Sequence, residues 1–181
     1  MYTSGMRGFT ALELLIVTGI AGILVLLAAP SLRSFALDSR RTVDINGFVV
    51  AVQLARSEAA KRGRPVVLCK SVDGQNCGDN EVGYETGWMV FVNEDDVRPP
   101  QRNADETVLY RYLPQSRGSI SANRRLFEFR PFGWRSTNGT VTFCDERGAA
   151  AARAVIISYT GRPRTAAIGP GDRPLICAAL P

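Results

Sequence analysis

The sequence contains no histidine. That absence excludes a Ser-His-Asp or Cys-His nucleophile pair, an imidazole general base, and any zinc or haem site that needs histidine. Lysine is almost missing too, since 20 of the 22 basic residues are arginine, a bias that does not by itself indicate phosphate selection. There are four cysteines and no CxxC pair, so a four-thiolate zinc site lacks its usual spacing. No phosphate-cradling glycine loop and no internal repeat are present. The acid cluster Glu94-Asp95-Asp96 reads as a hairpin loop, and Asp73–Glu81 does not follow the EF-hand ligand spacing. The expectation is a protein that is not an enzyme and carries neither cofactor nor metal.

What is present is unevenly distributed. The 181 residues suit one domain plus a short additional element, and 45% hydrophobic residues suit a packed domain. Yet Leu14 to Ala29 is a run of 16 residues without a charge, closed by Pro30. With Ala11 and Leu12 it approaches the roughly 20 residues that cross a bilayer as a helix. A secretory signal peptide is the rival reading. Against it, Ala28-Ala29-Pro30 puts proline where the peptidase would cut, and the leader before the run is short, with Arg7 its one basic residue. Glu13 interrupts the apolar stretch near its start. A carboxylate at the centre of a membrane helix costs roughly 2.5–3.5 kcal/mol, less near the end, so such a residue is a functional candidate.

Arg7-Gly8-Phe9-Thr10-Ala11-Leu12-Glu13-Leu14-Leu15 resembles the class III signal of type IV pilins and type II secretion pseudopilins. The resemblance implies cleavage after Gly8 by a prepilin peptidase, N-methylation of the new terminus Phe9, and an assembly role for Glu13, fifth from the cut. Pro30 falls where pilins often carry a helix-kinking proline. Ala11-Leu12 departs conservatively from the commoner Leu-Ile or Leu-Val. The fold implied is α+β and type IV pilin-like: a long amino-terminal helix, transmembrane in its first half, packed on an antiparallel β-rich head. The expected organisation is a leader at 1–8, a transmembrane segment at 9–30, a helical stem at 31–64 and a head at 65–181. Arg7 and the leader would stay cytoplasmic, with the head in the periplasm and the protein in the bacterial inner membrane. Paired with the free amine of a neighbouring subunit, Glu13 would set register in an apolar filament core, where an unpaired charge is costly.

Beyond Pro30, Ile45, Phe48, Val49, Val52, Ala55 and Ala59 recur at helical spacing, with Gly63 and Pro65 as stop signals. From Phe9 to Arg62 is 54 residues, roughly 80 Å of helix. Gly47 and Pro30 are expected weak points or bends. Most of the basic residues of the stem read as a solvated helix face beside a membrane.

From Pro65 the pattern changes to short β-branched and aromatic runs. Expected strands are Val66–Lys70, Gly87–Asn93, Thr107–Leu113, Gly118–Ala122, Leu126–Phe129, Gly139–Asp145, Ala154–Tyr159 and Leu175–Ala178. Asn138-Gly139 is a hairpin-turn dipeptide. The four cysteines allow three pairings. Cys69–Cys77, closing a short Gly/Asp/Asn loop, and Cys144–Cys177, tying the last strand to an earlier one, is the favoured set.

Gly87-Trp88-Met89-Val90-Phe91, Phe129-Arg130-Pro131-Phe132-Gly133 with Gly139-Thr140-Val141-Thr142-Phe143-Cys144, and Val155–Ser158 leading to Gly161-Arg162-Pro163-Arg164 resemble, in order, the FimT/GspH group of minor pilins and pseudopilins. Residues 73–106 hold nine acids and two arginines, a net of −7, whereas residues 107–181 hold eleven arginines and four acids, a net of +7. That asymmetry hidden in a formal +5 suggests an anionic partner. In Gly161-Arg162-Pro163-Arg164, Pro163 favours extended chain, so two guanidinium forks would project together and grip phosphate. In the FimT branch this element is associated with DNA binding in natural transformation. The resemblance therefore implies non-specific, phosphate-mediated DNA capture by Arg162 and Arg164, with Gly161 permitting the turn and Arg173, Arg153 or Arg135 as auxiliary contacts. The alternative is a type II secretion pseudopilin with a purely structural role. In either case other pilin or pseudopilin subunits, the prepilin peptidase and the inner membrane are expected partners.

Overall fold

The computed structural model describes residues 10–131 and 135–178. Gly8 and Phe9 lie outside the described residues, as do Phe132 and Gly133.

Helix α1 spans Ala11–Arg62. Its start is explained locally: Thr10 and Glu13 stand in capping-box spacing, and the Glu13 N–H donates to Thr10 Oγ1 at 3.2 Å. Its end is explained as well, because Gly63 takes φ +63° while its N–H bonds the Ala59 carbonyl at 3.1 Å. The chain forms two compact units that divide between Asp38 and Ser39. In the first, α1 is long and apolar enough to cross a membrane, and side chains from Leu12 to Leu27 are exposed. Pro30 lies inside the helix.

The second unit begins with the rest of α1. Buried residues Arg41, Asp44, Ile45, Phe48, Ala51, Val52, Ala55 and Ala59 follow the three- and four-residue steps of one face. Strands β1 (Val66–Lys70), β2 (Trp88–Val92), β3 (Val108–Tyr112) and β5 (Leu126–Phe129) form one sheet, in the order β3-β2-β1-β5. Strands β4 (Ile120–Ala122), β6 (Gly139–Phe143), β7 (Arg153–Ile157) and β8 (Pro163–Ala166) form the other, in the order β4-β6-β7-β8. All pairings are antiparallel. Alternation then sorts the side chains. Leu68, Trp88, Val90, Phe127 and Phe129 from one sheet, and Val141, Phe143, Val155 and Ile157 from the other, join α1 in one core. At its centre, Phe48 meets Trp88, Tyr84, Phe143 and Phe127 edge-on, with ring centroids at 5.4, 5.8, 5.9 and 6.1 Å.

The outward residues are covered too. Val67, Cys69, Met89 and Phe91 form a second cluster beside Cys77, and the Cys69–Cys77 disulfide closes the loop over it. Cys144, Ala152, Ala154, Ile156 and Leu175 form a third, where Cys144–Cys177 fastens the carboxyl-terminal segment to the end of β6. Polar ties fix α1 to the sheets. Arg41 pairs with Asp145 at 3.0 Å, and Asp44 accepts the N–H groups of Gln115 and Ser116 and the Tyr112 hydroxyl.

Two expectations are corrected, and one strand was not expected. Leu175–Ala178 is not a strand; it is held by the disulfide and by burial of Leu175 rather than by a ladder. The eighth strand is instead Pro163–Ala166, at a sheet edge where a residue without N–H costs no ladder bond. Asn138-Gly139 is not a hairpin turn, because β5 and β6 belong to different sheets. Gly139 opens β6 where a Cβ would stand 2.6 Å from Asn123 Oδ1 and 2.8 Å from the Phe127 ring. Gly47 lies within the helix and is in addition a close-approach site: the Tyr112 ring lies 2.5 Å from where its Cβ would be.

Candidate functional site: an arginine-lined groove

A groove lined by arginines lies where α1 passes the end of β5 and the β7–β8 turn. Gln53, Arg56, Ser57 and Ala60 recur at three- and four-residue steps and form one wall. Ser57 and Ala60 are small, and this keeps the wall low. The opposite wall carries Arg130 and Pro131 after β5, then Arg135 and Ser136, then Tyr159, Thr160 and Arg162. The groove they enclose holds about 640 Å³. Its described lining contains four arginines and no carboxylate.

The β7–β8 turn is built by its own backbone. Ile157 pairs with Pro163, leaving Ser158–Arg162 as the connection. Gly161 N–H donates to the Ser158 carbonyl at 2.9 Å, and Ser158 N–H donates to the Arg162 carbonyl at 3.1 Å. Arg162 N–H donates to Ser158 Oγ at 3.2 Å. Gly161 adopts φ +73°, a conformation that side-chain-bearing residues rarely take. It also permits close approach: a Cβ there would meet the Phe129 ring at 3.1 Å, and Arg56 Cδ and Ser136 Oγ at 3.3 Å. The turn is thus seated against both the helix arginine and the segment after β5.

The cations differ in their engagement. Among the described residues, no hydrogen bond or ion pair reaches the guanidinium of Arg56, Arg162, Arg164 or Arg173. Arg135 lies over the Tyr159 ring, 5.0 Å from its centroid, a cation–π contact that orients it while leaving its charge uncompensated. Arg130 is held by Glu128 at 3.4 Å. Burial raises the pKa of the Glu128 carboxyl, while Arg98 pulls it down.

The residues singled out from sequence are only partly brought together. Arg135 and Arg162 share the groove, and Gly161 packs against Arg56 and Ser136 of its lining. Arg164 stands opposite Ile156 in the β7–β8 ladder, so it rises from the face bearing the third apolar cluster and does not line the groove. The expected side-by-side projection of Arg162 and Arg164 is therefore split: one lies in the turn and the other on edge strand β8. Arg173 borders a separate cleft of about 700 Å³ with Asn123, Asn138, Gly169 and Leu175. Arg153 opens β7 at the opposite end from the turn, where it donates to the carbonyls of Ala151 and Ala152. Sequence reasoning missed Arg56, Arg130 and Tyr159. The first lay in a stem read as a solvated face, and only the fold brings it beside Gly161.

A helix followed by two antiparallel sheets that close around its second half is the architecture of a type IV pilin, and places the chain among pilins and pseudopilins. The family described as type II transport protein GspH matches residues 44–161, and the chain belongs to it. Among solved structures, the fold is similar to the type IV minor pilin FimU of Pseudomonas aeruginosa, with 18% identity and a TM-score of 0.51 over 74% of this chain and 90% of that one. A second crystal form of the same protein matches with 17% identity and a TM-score of 0.46, over 74% and 91%. No curated protein matches at a significant level. The family and fold are those of structural subunits that assemble with other pilins or pseudopilins, and the apolar helix suits a membrane-anchored component.

Proposed function

We propose that this protein is a minor type IV pilin that joins or helps initiate a pilus and binds DNA without sequence preference during natural transformation. The observation that carries the DNA reading is the groove of four arginines and no carboxylate, with Arg162 exposed and unpaired among the described residues. Arginine forks grip phosphate oxygens bidentately, and a phosphate-dominated mode needs no recognition helix. In this reading a prepilin peptidase cuts after Gly8, Phe9 is N-methylated, the head lies in the periplasm, and Glu13 contacts the amine of a neighbouring subunit.

The test is DNA binding by the full chain in detergent, followed across salt concentrations, together with transformation of the host. Arg162→Gln combined with Arg164→Gln should weaken binding and shallow the slope of log K against log salt by roughly 0.9 per lost duplex contact. The same double variant should reduce transformation towards the level of a deletion while pili still form. An unchanged slope would make these side chains structural. The family match favours a second reading, a minor pseudopilin of a type II secretion system. It predicts a secretion defect on deletion and no salt-sensitive DNA binding.

A further inference from the structure

We propose that Arg56, on the stem helix, and Arg162, in the β7–β8 turn, form a two-sided clamp for a phosphodiester backbone across the groove. This rests on the DNA-binding reading above and adds to it a binding residue from the stem. Three observations carry it. Arg56 Cδ lies 3.3 Å from where a Gly161 Cβ would stand, so the aliphatic part of Arg56 runs against the turn that presents Arg162. Both residues line the same groove, are exposed, and have no hydrogen-bonded or ionic partner for their guanidinium among the described residues. The helix wall is otherwise neutral: Gln53, Ser57 and Ala60 neither compensate the charge nor fill the space. Like charges brought together without a counter-charge repel, an arrangement relieved when an anion bridges them. Arginines from two elements lining one groove suit a phosphodiester chain, whose phosphate oxygens the two forks can grip. Helix α1 and the turn come from distant parts of the sequence, so the clamp exists only once the second unit is folded. Gly161 permits this juxtaposition, since a Cβ there would stand 3.3 Å from Arg56 Cδ.

The test compares full-length wild type with Arg56→Gln, Arg56→Lys, Arg162→Gln and a control, Arg117→Gln. Arg117 is exposed and outside the groove, so the control removes the same charge elsewhere. Binding to a labelled 30-base-pair duplex is followed by fluorescence anisotropy in detergent across a salt series. Expected are a loss of roughly threefold to tenfold in affinity and a salt slope shallower by roughly 0.9 for Arg56→Gln and for Arg162→Gln alike. Arg56→Lys should restore the slope, because it keeps the point charge, but only part of the affinity. Arg117→Gln should change little, and the melting midpoint should be the same for all variants. Loss with Arg162→Gln but none with Arg56→Gln would overturn the clamp and leave the DNA reading standing. Equal losses for Arg56→Gln and Arg117→Gln would also overturn it, as a diffuse charge effect. No duplex binding by wild type would overturn both. A poly-glutamate peptide that competes with the duplex at equal charge, with the same dependence on Arg56, would replace phosphodiester by a carboxylate-bearing partner.

Discussion

Phe48 is the residue on which the second unit turns. It is fully buried and touches the rings of Trp88 and Phe127 from one sheet and Phe143 from the other. Truncation would leave a cavity at the point where helix and both sheets converge. Phe48→Ala should destabilise the full chain by roughly 3–5 kcal/mol, read from denaturant midpoints, while Phe48→Leu should lose much less. Asp145 is a residue-scale determinant of another kind. Hydrogen bonds from Arg147 hold its carboxyl below the usual range against the opposing effect of burial, and the charge of Arg41 helps. A depressed folded-state pKa gives stability that is complete above the unfolded value, ordinarily near 3.9, and is lost as pH falls through the folded value. Asp145→Asn should therefore lower stability at neutral pH and flatten its decline below about pH 4. A melting series from pH 7 to pH 2 would check both; parallel curves for variant and wild type would count against the assignment.

At the scale of elements, the two disulfides do different work because they close different lengths of chain. Cys69 and Cys77 are 8 residues apart, Cys144 and Cys177 are 33 apart. In the chain-entropy account these correspond to roughly 2.5 and 3.7 kcal/mol. Replacing both members of the second pair by serine should cost more stability than replacing the first. It should also increase hydrogen exchange across residues 169–178, whose hold on the rest of the unit otherwise rests on burial of Leu175 and on the hydrogen bond that Ser119 Oγ donates to the Ala178 carbonyl at 3.2 Å. The elements also show what sequence patterning can and cannot reveal. The helix to Arg62 and seven of the eight strands were legible, because apolar periodicity, a glycine stop and β-branched runs act locally. Strand β8 was not, since Pro163, Arg164 and Thr165 carry no apolar alternation; an edge strand packs on one neighbour and needs none. Nor was the Asn138-Gly139 stretch, whose glycine answers to the packing of Phe127 and Asn123 rather than to a turn. The groove was half legible. Arg162 and Arg135 lie within the arginine-rich carboxyl-terminal half, but nothing in the local sequence marks Arg56 as the helix residue that meets Gly161.

For the whole molecule, the proposed function would use the apolar helix twice, first in a bilayer and then in a fibre. In that proposal Glu13 would separate the two uses. In the membrane its carboxylate is a cost, so Glu13→Ala should not impair insertion, and by the insertion scales should ease it. Nor should the helix start be lost, because the Thr10 hydroxyl, which caps the Glu13 N–H, remains in place. In the proposed assembly the same carboxylate meets the amine of a neighbouring subunit, and its loss leaves that amine unpaired in an apolar core. The expected outcome is normal recovery of Glu13→Ala in the membrane fraction with a severalfold drop in the sheared-filament fraction. Glu13→Gln should behave similarly, since it keeps size and hydrogen-bonding capacity but not charge. Filament levels equal to wild type for both variants would remove the electrostatic role, and a matching loss from the membrane fraction would relocate the defect to insertion.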